Sequence, residues 1–313
     1  SSDLKTAQDY KGLYNTEVIN TVLKNFYVDD CLKSVKTVTE ASSLLCDLQD
    51  LLMRGGFHIT KWISNSREVM TYIPVSRRAK EVKDLDLEND TLPIDRALGV
   101  QWCVENDVFC FKMDIKDQPL TRRGILSMVS SVFDPLGFLA PFTLKAKCLL
   151  QELCKLQLGW DEKIPGHLAQ QWNEWLQDLE RLSDIKVSRC YKPVGFGEIK
   201  SAQLHHFADA SERGYGTVSY LRQENFDGAV HCSFVIGKSR VAPLKQTTIP
   251  RLELTAATVA VRTDKMLKSE LDVPIDETVF WTDSMAVIRY IRNTSSRFHT
   301  FVANRLAVIH EGS

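Results

Sequence analysis

The chain has 313 residues, a formal net charge of -1, and 44% hydrophobic and 25% charged residues. At about 100–200 residues per domain the length implies two domains, three at most. The composition suits a chain that buries a core and excludes wholesale disorder. The balanced charge excludes a global positive field, so contact with nucleic acid has to use local patches such as Arg77, Arg78 and Lys80, Arg122 with Arg123, or Lys145 with Lys147. The eight cysteines form no Cys-x-x-Cys and none lies near a histidine at zinc spacing. That excludes a zinc module and a disulfide scaffold and fits a reducing, intracellular setting. No run is long and apolar enough to span a membrane, and no signal-peptide pattern is visible. Ser1-Ser2 at the start and Glu311-Gly312-Ser313 at the end lead us to expect a segment of something longer.

In chain order, Leu13 to Leu23 predicts a short helix. Asn25 to Val28 and Cys31 to Val35 predict two strands around a tight Asp29-Asp30 turn. Thr37 and Glu40 have capping-box spacing, and Ala41, Leu44, Leu45, Leu48, Leu51 and Leu52 continue at helical period to Gly55-Gly56. Phe57 to Ile63 reads as a strand, Arg77 to Asp95 as a polar loop, and Ala97 to Val104 with Val108 to Met113 as a hairpin across Asn106-Asp107. Three helices follow: Thr121 to Phe133, stopped at Asp134-Pro135; Pro141 to Leu158; and one marked by Leu168, Trp172, Trp175, Leu176, Leu179 and Leu182, whose period assigns the tryptophans to a core. Val187 to Gly197 reads as a linker. Beyond it, Gln203 to Ala208, Tyr215 to Leu221 and Val230 to Ile236 predict an antiparallel meander. A helix from Pro250 to about Leu271, a strand at Thr278 to Trp281, and helices over Ser284 to Asn293 and Phe298 to His310 complete the chain.

Two groups of carboxylates carry the chemistry. Asp29-Asp30 places two acids at a hairpin tip, where a divalent cation is a natural partner, although aspartate is also favoured in plain turns. Asp209, Glu253 and Asp283 fall on a strand end, a first helical turn and a second strand end. Those positions can converge at one edge of a sheet, where acids hold two metals for phosphoryl-transfer chemistry. Taken singly, Glu253 could serve the helix dipole and Asp283 could cap the next helix. The bland reading must explain all three at once. An integrase places two aspartates before its glutamate; here Glu253 lies between the two, against that arrangement.

The chain resembles the Pol polyprotein of BEL/Pao-class long-terminal-repeat retrotransposons. The resemblance rests on Asn25-Phe26-Tyr27-Val28-Asp29-Asp30, on Arg54-Gly55-Gly56-Phe57 through Lys61-Trp62 to Ser64-Asn65, on the Thr121-to-Phe142 stretch, on Phe207-Ala208-Asp209-Ala210-Ser211, on Ile249-Pro250-Arg251-Leu252-Glu253-Leu254, and on Trp281-Thr282-Asp283-Ser284. It covers nearly the whole chain. It implies an α/β (α+β) chain: the C-terminal part of a reverse-transcriptase palm over 1–118, a helical thumb or connection over 119–196, and a ribonuclease H-like domain, truncated at its C-terminus, over 197–313.

The same resemblance implies magnesium, or manganese in its place, on Asp29, Asp30, Asp209, Glu253 and Asp283. It implies nucleic-acid contacts at Lys61, Trp102 and Arg123, with Trp102 on a primer-grip hairpin at Ala97-Leu98-Gly99-Val100. The implied partners are an RNA–DNA hybrid, a primer-template, deoxynucleoside triphosphates and the remaining Pol domains, in cytoplasmic particles with a nuclear stage. The chain departs from the pattern in having no upstream palm aspartate and no fourth ribonuclease H acid, and it ends before the strand that would carry that sheet further. The region after Thr121 is often given a peptidase label, but no Asp-Thr/Ser-Gly motif is present and proteolysis is not expected. A catalytically silent relic or domesticated nucleic-acid-binding protein is the competing expectation.

Overall fold

The computed structural model describes every residue except Ser1, Asp29, Leu98, Asp114, Ile115, Lys116, Thr294 and Ser296. It falls into two compact units, Ser1–Lys112 with Ser183–Arg189, and Met113–Leu182 with Cys190–Ser313.

In the first unit, α1 (Ser2–Asp9), α2 (Thr16–Lys24) and α3 (Val38–Arg54) share a core of Ala7, Val18, Ile19, Val22, Leu44, Leu48, Leu51 and Leu52. Asn15 caps α2 by accepting from the Val18 N–H at 2.9 Å. Thr37 caps α3 as expected, accepting from the Glu40 N–H at 3.1 Å. The Glu40 carboxylate reaches one residue beyond the usual box, to the Lys36 N–H at 2.9 Å. The hairpin of β1 (Phe26–Tyr27) and β2 (Asp30–Cys31) is shorter than expected, two residues a side. Tyr27 and Val28 are 69% and 83% exposed, so nothing packs on a longer ladder, and an isolated pair of strands is marginal by itself.

The strand expected over Phe57 to Ile63 does not form. Phe57, Ile59 and Trp62 spend their apolar alternation on packing against the helices, and only Trp62 makes a bridge, to Arg78. The polar stretch expected as a loop from Arg77 to Asp95 is largely irregular but contains one short helix, α5 (Lys80–Lys83); before it come α4 (Arg67–Thr71) and a 3-10 turn at Val75–Arg77. Their scattered apolar residues Met70, Ile73, Ala79 and Val82 join Leu45, Leu92 and Val104 in a second core.

The expected Ala97-to-Val104 strand is a hairpin. It folds back between β3 (Ile94–Ala97) and β4 (Val100–Cys103), with Gly99 at φ 84°, a conformation that favours glycine. Next comes β5 (Val108–Cys110), across the expected Asn106-Asp107 turn. The linker expected from Val187 begins in a strand, β6 (Lys186–Ser188), which pairs antiparallel with β5 and completes a four-stranded sheet of order β3-β4-β5-β6. Arg189 holds that return, donating to the two Asp107 carboxylate oxygens at 2.6 and 2.9 Å.

The second unit opens with α6 (Arg122–Ser131), α7 (Ala140–Lys155) and α8 (Gly166–Glu180). Thr121 caps α6 through the Gly124 N–H at 3.2 Å. The tryptophans of α8 are core, as their period implied. Trp172 and Trp175 stack at 4.8 Å, and Trp175 Nε1 donates to the Phe142 carbonyl at 3.1 Å. Three twelve-residue strands follow, β7 (Ile199–Ala210), β8 (Gly214–Asn225) and β9 (Val230–Val241), longer than expected but in the expected meander. The helix α9 (Ile249–Glu270) crosses one face and leads to β10 (Glu277–Trp281), which lies parallel to β7. The sheet order is β10-β7-β8-β9. The helices α10 (Met285–Arg292) and α11 (Thr300–His310) pack on α9 through Leu254, Val261, Val287, Val302, Leu306 and Ile309.

Gly137, in the loop between α6 and α7, sits at φ 78°, and a Cβ there would lie 1.9 Å from the Gly237 carbonyl oxygen on β9. The approach is sealed by the Gly237 N–H donating to the Leu136 carbonyl at 2.8 Å. Gly137→Ala is therefore expected to cost at least about 1–3 kcal/mol, from the backbone conformation and the clash together, measured as a lowered urea midpoint. A midpoint equal to that of the unaltered chain would show that this approach does not hold the loop.

Candidate metal centre

Register brings the first two acids together. In the parallel pair, Trp281 of β10 stands opposite Phe207 of β7. Two residues further on, Asp283 and Asp209 therefore emerge level, at the same end of the sheet. The third acid comes from α9, whose Pro250 lies in the first helical turn and whose Glu253 follows at once. Carboxylate oxygens of Asp209, Glu253 and Asp283 all lie within 4.8 Å of one another.

The three acids are not equivalent. Asp209 and Asp283 are exposed, whereas Glu253 is 7% exposed, and its buried Oε2 has no hydrogen-bond partner among the described residues. Burial, then the charges of Asp209 and Asp283, push the Glu253 carboxyl above the usual carboxylate range, against a smaller opposite pull from the Ala210 N–H. The bland readings fail on geometry. Ser284, not Asp283, caps α10, accepting from the Val287 N–H at 3.4 Å, and a glutamate serving only the helix dipole has no reason to be buried beside two other acids. Three hard oxygen donors, one of them buried and unpartnered, fit a magnesium- or manganese-type cation.

The remaining sequence candidates stand apart from this cluster. Asp29 lies outside the described residues. Asp30 is exposed on β2 and belongs to no group of three potential ligands among the described residues. Lys61 is exposed with φ 60°, just before the Trp62 bridge. Trp102, on β4, donates from Nε1 to Asp107 at 2.9 Å and lies under the Arg189 guanidinium at 5.5 Å, so its polar handle is taken up in fixing the β6 return. Arg123, at the start of α6, forms a two-pronged ion pair with Asp161, at 2.8 and 3.0 Å.

Sequence reading overlooked a pair of cations on α9 and α11 that share one aromatic ring. The guanidiniums of Arg251 and Arg305 lie over the Phe301 ring at 5.4 and 3.4 Å, and Arg305 also donates to Thr255 on α9. Arg251 is two residues before Glu253, which was the available signal; Arg305 is fifty residues away from its Thr255 partner.

A profile of the family described as Pao retrotransposon-like RNaseH-like domain matches residues 121–284, more than half of the chain. The chain belongs to this family. Its matched segment runs from the cap of α6 to the cap of α10 and contains all three acids. No curated protein sequence matches the Pao-family chain. Among solved structures it is similar to the foamy viral protease-reverse transcriptase dRH in complex with double-stranded DNA. That match has TM-score 0.50 and 15% identity, and covers 96% of this chain and 47% of the other. A second foamy viral protease-reverse transcriptase with double-stranded DNA matches at TM-score 0.47 and 15% identity, over 98% of this chain and 55% of the other. Ribonuclease H1 from the halophilic archaeon Halobacterium salinarum NRC-1 matches at TM-score 0.24 and 13% identity, over 35% and 75%. The first likeness speaks for the fold alone, and the Pao-family chain spans about half of the foamy viral chains it matches. No helix among the described residues is long and apolar enough to cross a membrane.

Proposed function

We propose that the Pao-family chain is part of a retrotransposon Pol polyprotein whose ribonuclease H-like domain cuts the RNA strand of RNA–DNA hybrids with divalent metal. The observation that carries this reading is the convergence of Asp209, Glu253 and Asp283, with the buried Glu253 Oε2 left for a cation. Magnesium, or manganese in its place, would supply an activated water and charge stabilisation at the leaving oxygen. Glu253, fixed on α9 and shielded from solvent, anchors the site. Asp209 and Asp283, exposed at the strand ends, face the substrate side. The 2′-hydroxyls of a hybrid's RNA strand offer the feature that separates it from duplex DNA.

The division into palm, connection and ribonuclease H-like parts at 1–118, 119–196 and 197–313 belongs to the same reading, as a statement of ancestry. So do polymerisation with Asp29 and Asp30 as metal ligands, contacts of Lys61, Trp102 and Arg123 with primer-template, use of deoxynucleoside triphosphates, the other Pol domains as partners, and an intracellular, particle-associated life. The acid cluster contains three members among the described residues, which keeps a second reading in play, a nucleic-acid-binding protein without catalysis.

The two part company in a cleavage assay with a labelled hybrid and magnesium, run on this chain and on the longer polyprotein. The nuclease reading expects Asp283→Asn to lower the rate at least about a hundredfold, because a charged ligand worth several kcal/mol at the transition state is removed. Equal, residual cleavage by both forms in both contexts would leave only the binding reading.

A further inference from the structure

Arginines stacked on aromatic rings recur in this chain, and a carboxylate goes with them. Arg54, over Tyr10 and Tyr14, meets Asp50 at 3.1 Å. Arg189, over Trp102, meets Asp107 at 2.6 Å. Arg123, over Trp160 beside Arg122, meets Asp161 at 2.8 Å. Phe301 departs from that pattern. The Arg251 and Arg305 guanidiniums lie over its ring at 5.4 and 3.4 Å, and no carboxylate stands at ion-pair distance from either among the described residues. The first turns of α9 and α11 contain no acid. Burial pulls Arg305 below its ordinary pKa, against Tyr215 and together with Arg262, a further cation, and no acid is among the groups that act on it.

Both guanidiniums are held to one ring, so the two charges stand closer together than a Debye length at ordinary salt. They repel each other, and an anion relieves that repulsion. The arrangement is fixed in place. Arg305 Nε donates to the Thr255 hydroxyl at 2.9 Å and Nη1 to the Phe301 carbonyl at 3.0 Å, which leaves its other N–H groups, and those of Arg251, for a ligand. Arg251 and Phe301 lie in the first turns of their helices, and Arg305 meets Thr255 one turn further along both, so α9 and α11 start side by side and run the same way. Glu253 belongs to the same end of α9. It is two residues from Arg251, about 3 Å along the axis but about 200° around it, so Arg251 points away from the metal acids while staying level with them. The two strands of a hybrid are likewise set apart, by a wide, shallow minor groove.

We propose that Arg251 and Arg305, aligned by Phe301, take a backbone phosphate of the DNA strand of a hybrid whose RNA strand meets the acids. This rests on the nuclease reading for the side on which the duplex lies. A planar guanidinium suits a phosphate because it donates two parallel hydrogen bonds. The test uses the full chain carrying Arg251→Gln, at an exposed position, or Arg251→Gln with Arg305→Gln; should the pair misfold by circular dichroism, Arg251→Gln alone carries the test. Binding of a fluorescent RNA–DNA hybrid is measured in EDTA over a potassium chloride series, with an ordinary DNA strand and with one whose phosphates are replaced by uncharged methylphosphonates. On the ordinary hybrid the double variant is expected to bind at least about tenfold more weakly, as befits lost hydrogen bonds to a charged group, and Arg251→Gln by a smaller factor. The slope of log affinity against log salt is expected to become shallower by about one. The methylphosphonate hybrid is expected to bind the unaltered chain and both variants alike. Unchanged affinity and slope in both variants, or no hybrid binding by the unaltered chain, overturns the proposal. An equal loss on both hybrids overturns the assignment to the DNA strand. No cleavage is scored, so a chain that shows the expected losses yet never cuts defeats the nuclease reading alone. Cutting that depends on Asp283, with affinity unchanged in both variants, defeats this contact alone.

Discussion

Magnesium is expected to raise the melting temperature of the unaltered chain, and Asp209→Asn or Asp283→Asn to abolish that rise while stabilising the metal-free protein. Both halves follow from one arrangement. Three carboxylates within 4.8 Å repel one another, and Glu253 feels this most because it is buried. A cation bound only by the folded state stabilises it by about 2.7 kcal/mol at a hundred times its dissociation constant. Removing one exposed charge removes both the repulsion and the ligand, so the metal-free variant gains roughly 0.5–1 kcal/mol, of the size common for relieved surface charge.

The pH dependence has a definite sign. The folded-state pKa of Glu253 is raised, so the folded protein holds its proton to higher pH than the unfolded chain, whose glutamates titrate near about 4.3. Metal-free stability is therefore undiminished below that value and is lost as pH rises through the raised folded pKa. The loss is smaller in either Asn variant, which lacks one of the two repelling charges. Thermal scans at several pH values with EDTA or magnesium read all of this. A magnesium response retained in full by both variants would mean that the acids do not hold the cation.

Asp264→Ala is expected to cost about 2–6 kcal/mol, the larger structural effect, because it leaves two buried polar groups without a partner at about 1–3 kcal/mol each. Asp264 is 1% exposed on α9, and His206 on β7 is fully buried. Asp264 Oδ1 accepts from His206 Nε2 at 3.2 Å and from the Thr278 hydroxyl of β10 at 3.0 Å, and its Oδ2 meets Lys268 Nζ at 2.9 Å. Burial holds the His206 pKa below its ordinary value despite the opposing pull of Asp264. The neutral ring then carries its proton on Nε2, toward the carboxylate, and Nδ1 accepts from the Ser219 hydroxyl at 2.7 Å.

Removing the acid strands a buried ring N–H and a hydroxyl, while the half-exposed Lys268 can return to water. Asp264→Asn keeps one acceptor oxygen and should lose less. Because the folded pKa of His206 is depressed, stability is expected to fall as pH drops below about 6.5, where the unfolded histidine takes up a proton first. Urea midpoints measure each effect, and a loss below about 1 kcal/mol for Asp264→Ala, no more than one ordinary hydrogen bond, would show that the network is not a joint between helix and sheet.

What could be read in advance follows physical locality. Caps and helical periods are local, so α3, α6 and α9 begin close to where Thr37, Thr121 and Pro250 place them. The three acids were legible because each sits at the end of an element with its own pattern, and parallel pairing of β10 with β7 does the rest. Phe57 to Ile63 misled because alternation records a buried face without saying whether a helix or a strand covers it. Val187 misled because a three-residue strand is defined by its partner, Phe109, far away in sequence.

The most direct test of the metal centre is to follow both strands of a doubly end-labelled RNA–DNA hybrid with the chain in its longer polyprotein, with magnesium and with EDTA. The account predicts magnesium-dependent cuts in the RNA strand alone, absent with EDTA and reduced at least about a hundredfold by Asp209→Asn or Glu253→Gln. Cuts that persist at the same rate in both variants, or that fall equally on the DNA strand, would contradict it.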